Sequence, residues 1–167
     1  DLVIGADGHR SVVRSVVEPH AAPAYAGYLA FRGVTPLRSI EHDPELTGML
    51  ADTAVTAMYD GGHIIIYAIP DAQGGRLINW VMYAEPPAGT EIDPLRGVFA
   101  PGTALDDLLA WGRRLAAERL PAQINQVITA TATSDMGLQP VVDLTLAVSA
   151  DGPFVLAGDA QAISRPH

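Results

Sequence analysis

The chain opens with Asp1-Leu-Val-Ile-Gly5-Ala-Asp7-Gly8, an apolar run of β-forming residues that ends in glycine and a turn. A similar arrangement, Phe154-Val-Leu-Ala157-Gly158-Asp159, stands near the other end. Short apolar runs that close in Gly and Asp are typical of buried strands that leave a sheet. We therefore expect both ends to lie in one sheet-based domain, with the middle of the chain inserted as a second domain.

The middle of the chain has another pattern. We predict one strand over 25–35 and three strands over 53–59, 63–69 and 77–83, which short Gly-containing turns join into an antiparallel meander. Helices are predicted over 43–50, 105–118 and 122–130, with Pro121 between the last two, and a weak strand over 137–146. The predicted fold class is α+β: an antiparallel or mixed sheet with helices, plus terminal strands of a Rossmann-like domain. The predicted domain limits are 1–18, 19–150 and 151–167.

Composition excludes several classes of protein. The 167 residues carry a net charge of −9, and all ten basic residues are Arg. An acidic chain without a basic stripe argues against nucleic acid and anionic lipid as partners. No cysteine is present, which excludes disulfides, thiolate metal sites and cysteine nucleophiles and agrees with a reducing, cytoplasmic compartment. No apolar run reaches the roughly 20 residues of a membrane span. Because the first residue is Asp1, we expect a segment excised from a longer chain.

Two short groups of residues are candidates for ligand binding. In the first, Asp7 and Gly8 stand at a strand end, Ser11 opens a short helix whose free N–H groups suit a phosphate, and Arg14 either contacts a ligand or locks the turn. In the second, Gly158 permits close backbone approach, Asp159 suits a sugar or ribityl hydroxyl, and Ala160 follows. Ordinary structural turns remain an open alternative for both.

Four residues of the predicted strands and the histidines and serines are further candidates for a site. Arg32, Asn79, Trp80 and Tyr83 are candidates for contact with a substrate, against the alternatives of plain strand packing and an ion pair. The five histidines lack metal-ligand spacing, so no metal site is predicted. Neither Ser11 nor Ser164 has a visible His/Asp relay, which argues against a serine hydrolase. No residue is identified as a catalytic base.

With these motifs in view, the chain resembles the FAD-dependent aromatic hydroxylases, the family of para-hydroxybenzoate hydroxylase. Residues 1–14 resemble the Asp-Gly fingerprint of that family, and residues 154–160 resemble its Gly-Asp fingerprint. Within the family the chain is most similar to the branch of 2,6-dihydroxypyridine 3-monooxygenase. That similarity extends to Tyr25-Ala-Gly-Tyr28 with Phe31-Arg-Gly33, to Asp60-Gly-Gly-His63 with Tyr67-Ala-Ile-Pro70, and to Arg165-Pro-His167.

The resemblance implies a cofactor site. Asp159, with Gly158 and Ala160, would bind a ribityl hydroxyl of FAD, and Asp7, Gly8 and Arg14 would lie near the pyrophosphate and the reduced nicotinamide cofactor. Pro166 would lie close to the flavin ring. The middle domain would cover the flavin and line the substrate cavity. The family's G-x-G-x-x-G fingerprint is absent from these residues, and Gln161 replaces a usually small residue.

The resemblance also implies an activity. The whole enzyme would use NADH or NADPH to reduce FAD, and O₂ to form a flavin hydroperoxide that hydroxylates an aromatic or N-heteroaromatic ring. We expect the segment alone to be inactive, and a homodimer remains open. The alternatives are another flavoprotein oxidoreductase, such as an epoxidase or halogenase, and a non-enzymatic binding module derived from the family.

Overall fold

The computed structural model describes residues 1–93, 98–99 and 105–165. By its internal contacts the chain divides into two units, here called the terminal unit and the middle unit. The terminal unit comprises Asp1–Gly27, Ile92–Val98 and Pro140–His167, and the middle unit comprises Tyr28–Glu91 and Phe99–Gln139. Contacts do not test whether a segment folds independently, so the expected domain limits at 18/19 and 150/151 stay a prediction.

The terminal unit is built around paired strands from the two ends of the chain. Strand β1 (Val3–Gly5) runs parallel to β10 (Phe154–Leu156), with Val3 opposite Phe154 and Gly5 opposite Leu156. Strand β9 (Ala150–Asp151) pairs antiparallel with β10 on its other side. The prediction that both ends share one sheet is therefore confirmed.

One face of this small sheet packs against helix α1 (Val12–Val17). Its core consists of Val17, Leu156 and Ala160, with Val13, Leu146 and Phe154 packed around them. In β1 Gly5 is buried as expected, whereas Ile4 and the preceding Leu2 are 63% and 66% exposed. Successive side chains of a strand point to opposite faces, so Gly5 faces the helix and Ile4 faces away from it.

Two further contacts complete the terminal unit. The Glu18 carboxylate accepts hydrogen bonds from the backbone N–H groups of Ala147 and Val148, at 3.1 and 3.2 Å. Strand β11 (Ala162–Ile163) pairs antiparallel with residues 144–145 of β8 (Met136–Thr145), a strand that begins in the middle unit. The short strands β6 and β7 span Ile92–Asp93 and Val98–Phe99.

The middle unit contains the predicted meander and helices. The strands are β2 (Ala24–Pro36), whose first residues belong to the terminal unit, β3 (Val55–Tyr59), β4 (Gly62–Pro70) and β5 (Arg76–Ala84). The helices are α2 (Pro44–Asp52), α3 (Leu105–Arg119) and α4 (Ala122–Ala130), with short 3₁₀ turns at Leu37–Ile40, Thr133–Asp135 and, in the terminal unit, Gly158–Ala160.

The four strands lie in the order β2-β5-β4-β3, each antiparallel to its neighbour. The register places Val81 of β5 opposite both Arg32 of β2 and Ile65 of β4. The β3–β4 turn requires Gly61, whose φ of +84° is a conformation that side-chain-bearing residues rarely adopt. These findings confirm the predicted meander, and the α+β fold class is confirmed as well.

One face of the sheet forms the core of the middle unit. Phe31, Ile64, Ile78 and Trp80 are completely buried on it, and burial of each such side chain contributes about 1.5–3 kcal/mol. The Phe31 ring lies against Gly112 of α3 so closely that a Cβ there would stand 2.6 Å from it. A glycine in the helix interior thus allows close packing of helix and sheet.

The helix ends follow from local chemistry. Asp43 caps α2 by accepting a hydrogen bond from the Leu46 N–H at 3.0 Å, and Pro121 separates α3 from α4 as predicted. Arg113 of α3 donates to the carbonyl oxygens of Ile128 and Thr131 at the end of α4, where the Ile128 oxygen also accepts a hydrogen bond from the Thr131 N–H. Among the described residues, no helix is long and apolar enough to cross a membrane.

Candidate functional site

The two Gly-Asp turns leave the same end of neighbouring parallel strands. Gly5 ends β1 opposite Leu156 of β10, and the Ala157 N–H donates to the Gly5 carbonyl oxygen at 2.9 Å. Asp7 follows two residues after Gly5, and Asp159 follows three residues after Leu156. The carboxyl ends of adjacent parallel strands are where α/β sheets place ligand-binding turns. This pairing brings together the two motifs that the sequence singled out.

Both oxygens of the Asp7 carboxylate accept hydrogen bonds from residues at the start of α1. One oxygen accepts a hydrogen bond from the Ser11 hydroxyl, and the other accepts from the N–H groups of Val12 and Val13 at 2.7 and 3.4 Å. The Ser11 hydroxyl in turn accepts from the Arg14 N–H at 2.9 Å and caps α1 as expected. The hydrogen bond from Ser11 holds the pKa of Asp7 below its usual value. Asp7 therefore stabilises the helix start, and its oxygens are engaged by backbone and hydroxyl groups.

The Arg14 guanidinium connects the two turns. It is 6% exposed, and it donates to the carbonyl oxygens of Asp159 and Ala160, both at 3.1 Å. Its other terminal nitrogen donates to the carbonyl oxygen of His9. The sequence left two roles open for Arg14, contact with a ligand or stabilisation of the turn. The structure supports the second role, because these guanidinium N–H groups already donate to backbone carbonyl oxygens.

The Gly158–Ala160 turn fits a bound hydroxyl-bearing cofactor. Gly158 has a φ of +60°, and no atom lies within 4 Å of the place that a Cβ would take. Asp159 is exposed, and within the described part of the chain its carboxylate has no hydrogen-bond partner. An exposed carboxylate beside an open backbone turn suits a ribityl hydroxyl, whereas the oxygens of Asp7 are already engaged.

A cleft of about 240 Å³ lies beside the first motif. His9, Arg10 and Arg14 line one part of it, and Ser11 and Ser15 contribute hydroxyl groups. The Ser11 and Ser15 hydroxyls and the Arg14 guanidinium already donate within the protein, so the exposed Arg10 is the side chain suited to an anionic group such as a phosphate. Gly8, with a φ of +80°, provides the turn that leads into this cleft.

A second candidate surface lies on the middle unit. We call it the polar face of the sheet: the face that carries Arg32 and Ala30 on β2, Asn79, Val81 and Tyr83 on β5, and His63, Ile65 and Tyr67 on β4. Arg32 is exposed and Asn79 is half-buried. Three of the four candidate substrate residues, Arg32, Asn79 and Tyr83, thus share one face.

Trp80 is a correction to the sequence prediction. It points to the opposite face of β5, is completely buried, and donates its indole N–H to the Thr131 hydroxyl at 2.9 Å. Gly33 leaves room for the indole, since a Cβ there would stand 2.5 Å from the ring. A side chain without exposed surface does not contact a substrate, so Trp80 belongs to the core.

Aromatic contacts converge on Tyr83. Its ring lies 4.9 Å from the His63 ring and 6.0 Å from the Tyr28 ring, as measured between ring centroids. The Tyr59 hydroxyl donates to the Tyr83 carbonyl oxygen at 2.6 Å, and burial raises the pKa of Tyr59 to about 12. The sequence analysis named His63 in the Asp60-Gly-Gly-His63 stretch of the resemblance and among the histidines without metal-ligand spacing, and it predicted no site role for this residue. Strand alternation together with the β4–β5 register is the signal that reveals its place next to Tyr83.

The segment after the second motif is held in place by an ion pair. Arg165 makes a two-pronged contact with Asp143 of β8, with distances of 2.7–3.1 Å. The hydrogen bond from Arg165 lowers the pKa of Asp143. Pro166, which was predicted to approach the flavin, lies outside the described residues. Among the residues that the structure does describe, no cluster of three metal-binding side chains occurs.

Comparison with known protein families identifies the class. Residues 25–138 match the model of the FAD binding domain-like family, "FAD_binding-like". The chain belongs to this family.

Known proteins of similar sequence are monooxygenases. Aligned over 181 positions, the chain is 30% identical to the 2,6-dihydroxypyridine 3-monooxygenase of Paenarthrobacter nicotinovorans, an alignment that covers 99% of this chain and 43% of that protein. It is 28% identical to the 6-methylsalicylate 1-monooxygenase of Aspergillus terreus, over 98% of this chain and 37% of that protein. The chain thus spans less than half the length of these relatives.

Solved structures are similar as well. The 2,6-dihydroxypyridine-3-hydroxylase of Arthrobacter nicotinovorans superposes with a TM-score of 0.81 at 26% identity, over 99% of this chain and 44% of that chain. Klebsiella pneumoniae HpxO, solved in complex with FAD and uric acid, gives a TM-score of 0.72 at 23% identity, over 99% of this chain and 37% of that chain. The latter likeness concerns the fold alone.

Proposed function

We propose that this chain is part of an FAD-dependent monooxygenase that uses NADH or NADPH and O₂ to hydroxylate an aromatic or N-heteroaromatic ring. The observation that carries the proposal is the parallel pairing of β1 with β10, which places the two Gly-Asp turns at the same end of neighbouring strands. The buried side chain of Arg14 donates hydrogen bonds to both turns. The family match and the monooxygenase relatives support it.

In this proposal the terminal unit holds FAD. The Asp159 carboxylate binds a ribityl hydroxyl, and Gly158 lets the cofactor approach the backbone. The cleft lined by His9, Arg10 and Arg14 takes a phosphate group, either of FAD or of the nicotinamide cofactor. Asp7 and Arg14 act indirectly, because they hold the two turns in place. FAD, when bound, supplies the redox chemistry, and protein groups supply binding and orientation.

The polar face of the sheet contacts the aromatic substrate in this proposal. Arg32 offers a positive charge to an ionised hydroxyl and Asn79 offers an amide, whereas Tyr83, which is 6% exposed, supports this face through its contact with the His63 ring. The aromatic substrates that appear in the names of two relatives, a dihydroxypyridine and a methylsalicylate, carry ring hydroxyls. We therefore propose a hydroxylated ring as the substrate class, a cytoplasmic location, and a homodimer that size-exclusion chromatography with light scattering would reveal.

The test uses protein from the complete reading frame that encodes this chain. We expect a yellow preparation with a flavin spectrum, and oxidation of NADH or NADPH that accelerates when hydroxylated benzoates or pyridines are added. Product analysis with ¹⁸O₂ is expected to give one labelled oxygen on the ring. A preparation that remains colourless with added FAD would contradict the proposal, and labelled epoxide or unlabelled dehydrogenated product would favour another flavoprotein oxidation.

A further inference from the structure

A cleft of about 250 Å³ lies in the middle unit, between the end of α2 and the sheet. Strand β3 begins at Val55, which pairs with Ile66 of β4, so the part of β4 that starts at Tyr67 extends beyond β3. The cleft lies at this edge and is lined by residues 50–54 and by Tyr67, Ala68 and Arg76. Tyr67 is thus a residue of the polar face that also borders a cavity.

Tyr67 carries the most exposed aromatic ring among the described residues of the polar face. It is 38% exposed, whereas His63 is half-buried and Tyr83 is 6% exposed. The β4–β5 register places Tyr67 directly opposite Asn79. Within the part of the chain that the structure describes, the Tyr67 hydroxyl makes no hydrogen bond. Such a side chain can pack against a ligand ring and donate its O–H to an acceptor on that ligand.

The other polar groups of the cleft leave it without net charge. One terminal nitrogen of Arg76 donates to the Ala51 carbonyl oxygen at 2.7 Å, and the Thr53 hydroxyl donates to the Met49 carbonyl oxygen. These donors satisfy carbonyl oxygens at the end of α2. The exposed Asp52 carboxylate lines the same cleft as Arg76, and their formal charges cancel. A cleft of this kind suits a neutral acceptor, because an ionised group loses hydration there without meeting an excess of positive charge.

Arg32 lies on the other side of the same face. The register places Arg32 opposite Val81 and Val81 opposite Ile65, and Tyr67 follows two residues after Ile65. The usual strand spacing and rise put the Cα atoms of Arg32 and Tyr67 roughly 12 Å apart, with Asn79 between them on β5. Because their side chains share one face, a single substituted ring can contact both residues at its opposite ends.

We propose that Tyr67 is a specificity-determining residue whose hydroxyl donates a hydrogen bond to an uncharged acceptor on the substrate ring, at the end away from Arg32. This inference rests on the proposed function and narrows its substrate class. The substrate carries a hydroxyl that faces Arg32 and a neutral acceptor, such as a carbonyl oxygen, that faces Tyr67 and the cleft. A carboxylate at that end binds less well, because Asp52 offsets the charge of Arg76.

The experiment measures ligand binding, apart from turnover. The complete protein with FAD is titrated with phenol, with 4-hydroxyacetophenone, whose carbonyl is a neutral acceptor, and with 4-hydroxybenzoate, and Kd is read from the change in flavin absorbance. We expect the wild type to bind 4-hydroxyacetophenone about tenfold more tightly than phenol, within the range of one net hydrogen bond. Tyr67→Phe is expected to lose this preference while the Kd for phenol stays unchanged, because the ring remains. Thr56→Val, which removes an exposed hydroxyl from β3 opposite Ile65, is the matched control and should keep the preference.

A charge variant tests the neutral cleft. Asp52→Asn leaves the charge of Arg76 without its counterpart, so it is expected to improve the binding of 4-hydroxybenzoate a few-fold relative to 4-hydroxyacetophenone. A Tyr67→Phe protein that binds FAD and keeps the full preference overturns the role of Tyr67 and leaves the proposed function standing. The same holds for a wild type that prefers 4-hydroxybenzoate to 4-hydroxyacetophenone. A wild type that takes up neither FAD nor any of the three phenols overturns both proposals.

Discussion

The guanidinium of Arg14 lies 3.1 Å from the carbonyl oxygen of Asp159, although 145 residues separate them in the chain. The same side chain donates to Ala160 and His9, so it joins the turn after β1 to the turn after β10. Both motifs depend on this one buried cation for their relative position in the terminal unit. The first prediction tests that dependence.

Replacement of Arg14 by Met is expected to destabilise the terminal unit. The change removes the donor from the buried Ala160 carbonyl oxygen, at a cost of about 1–3 kcal/mol, and from the partly buried carbonyl oxygens of His9 and Asp159, at a smaller cost. Urea unfolding measures this loss, and FAD titration of the complete protein is expected to show weaker binding because the Gly158–Ala160 turn loses its anchor. Arg38→Met is the matched control, since Arg38 is exposed and belongs to the middle unit. Equal effects of the two substitutions would show that the backbone contacts of Arg14 are unimportant.

The two motif aspartates are expected to respond differently to neutralisation. Asp159→Asn should weaken FAD binding about tenfold while the melting temperature of the apoprotein hardly changes, because the carboxylate has no partner in the described part of the chain. Asp7→Asn should lower the melting temperature, because it removes an acceptor for the start of α1. The reverse pattern, with Asp7 needed for the cofactor and Asp159 for stability, contradicts this assignment.

Trp80→Phe is expected to lower stability without changing the affinity for substrate. The variant removes the indole donor from the buried Thr131 hydroxyl, which keeps its own hydrogen bond to the Val127 carbonyl oxygen, at a cost of about 0.5–1.5 kcal/mol. Trp111→Phe, at a half-buried tryptophan that contacts Phe31, is the control and should cost less. Denaturant unfolding gives the stability, and KM for the substrate checks the second part. A KM that rises for Trp80→Phe alone would return Trp80 to the substrate site.

The ion pair of Asp143 with Arg165 predicts a dependence on pH. Since Arg165 lowers the pKa of Asp143, the pair stabilises the β8–β11 contact fully above the ordinary aspartate value of 3.8 and is lost as the pH falls through the lowered value. Both side chains are partly exposed, so the effect is modest.

Amide exchange measures this effect. Asp143→Asn is expected to reduce the protection of Ala162 and Ile163 a few-fold at pH 7, with Asp52→Asn as the control for loss of a charge elsewhere. The difference between Asp143→Asn and the wild type should shrink in acid. A difference that stays constant down to pH 2 would argue that the ion pair does not hold this segment.

Much of the fold could be predicted because it rests on local chemistry. Alternation in residues 77–83 correctly assigned successive side chains of β5 to opposite faces, and Pro121 correctly marked the boundary between α3 and α4. The short loops around Gly61 and Gly74 allowed only antiparallel neighbours, so the meander followed from their length. The strands at the two ends were predicted for the same reason, from their apolar runs and Gly-Asp turns.

The site could be predicted only in part. Sequence analysis proposed Asp7 and Asp159 as equal partners for a ligand, whereas the fold engages Asp7 at the start of α1 and leaves Asp159 exposed. It also grouped Trp80 with Asn79 and Tyr83, although neighbouring residues of a strand face opposite sides. His63 stood in the Asp60-Gly-Gly-His63 stretch of the family resemblance, but its contact with Tyr83 could not be predicted from that stretch because the Tyr83 ring comes from another strand.

The sequence by itself determined the strands, the helices, the turns and the classes of chemistry that the chain can support, because these depend on residues within one or two turns of each other. Tertiary structure decided which carboxylate is available, which cation joins the two motifs, and which aromatic rings meet. Those outcomes depend on contacts such as Arg14 with Asp159 and Trp80 with Thr131. A hydrogen bond between residues far apart in the chain exists only after strands and helices have packed, and no local pattern encodes its partner.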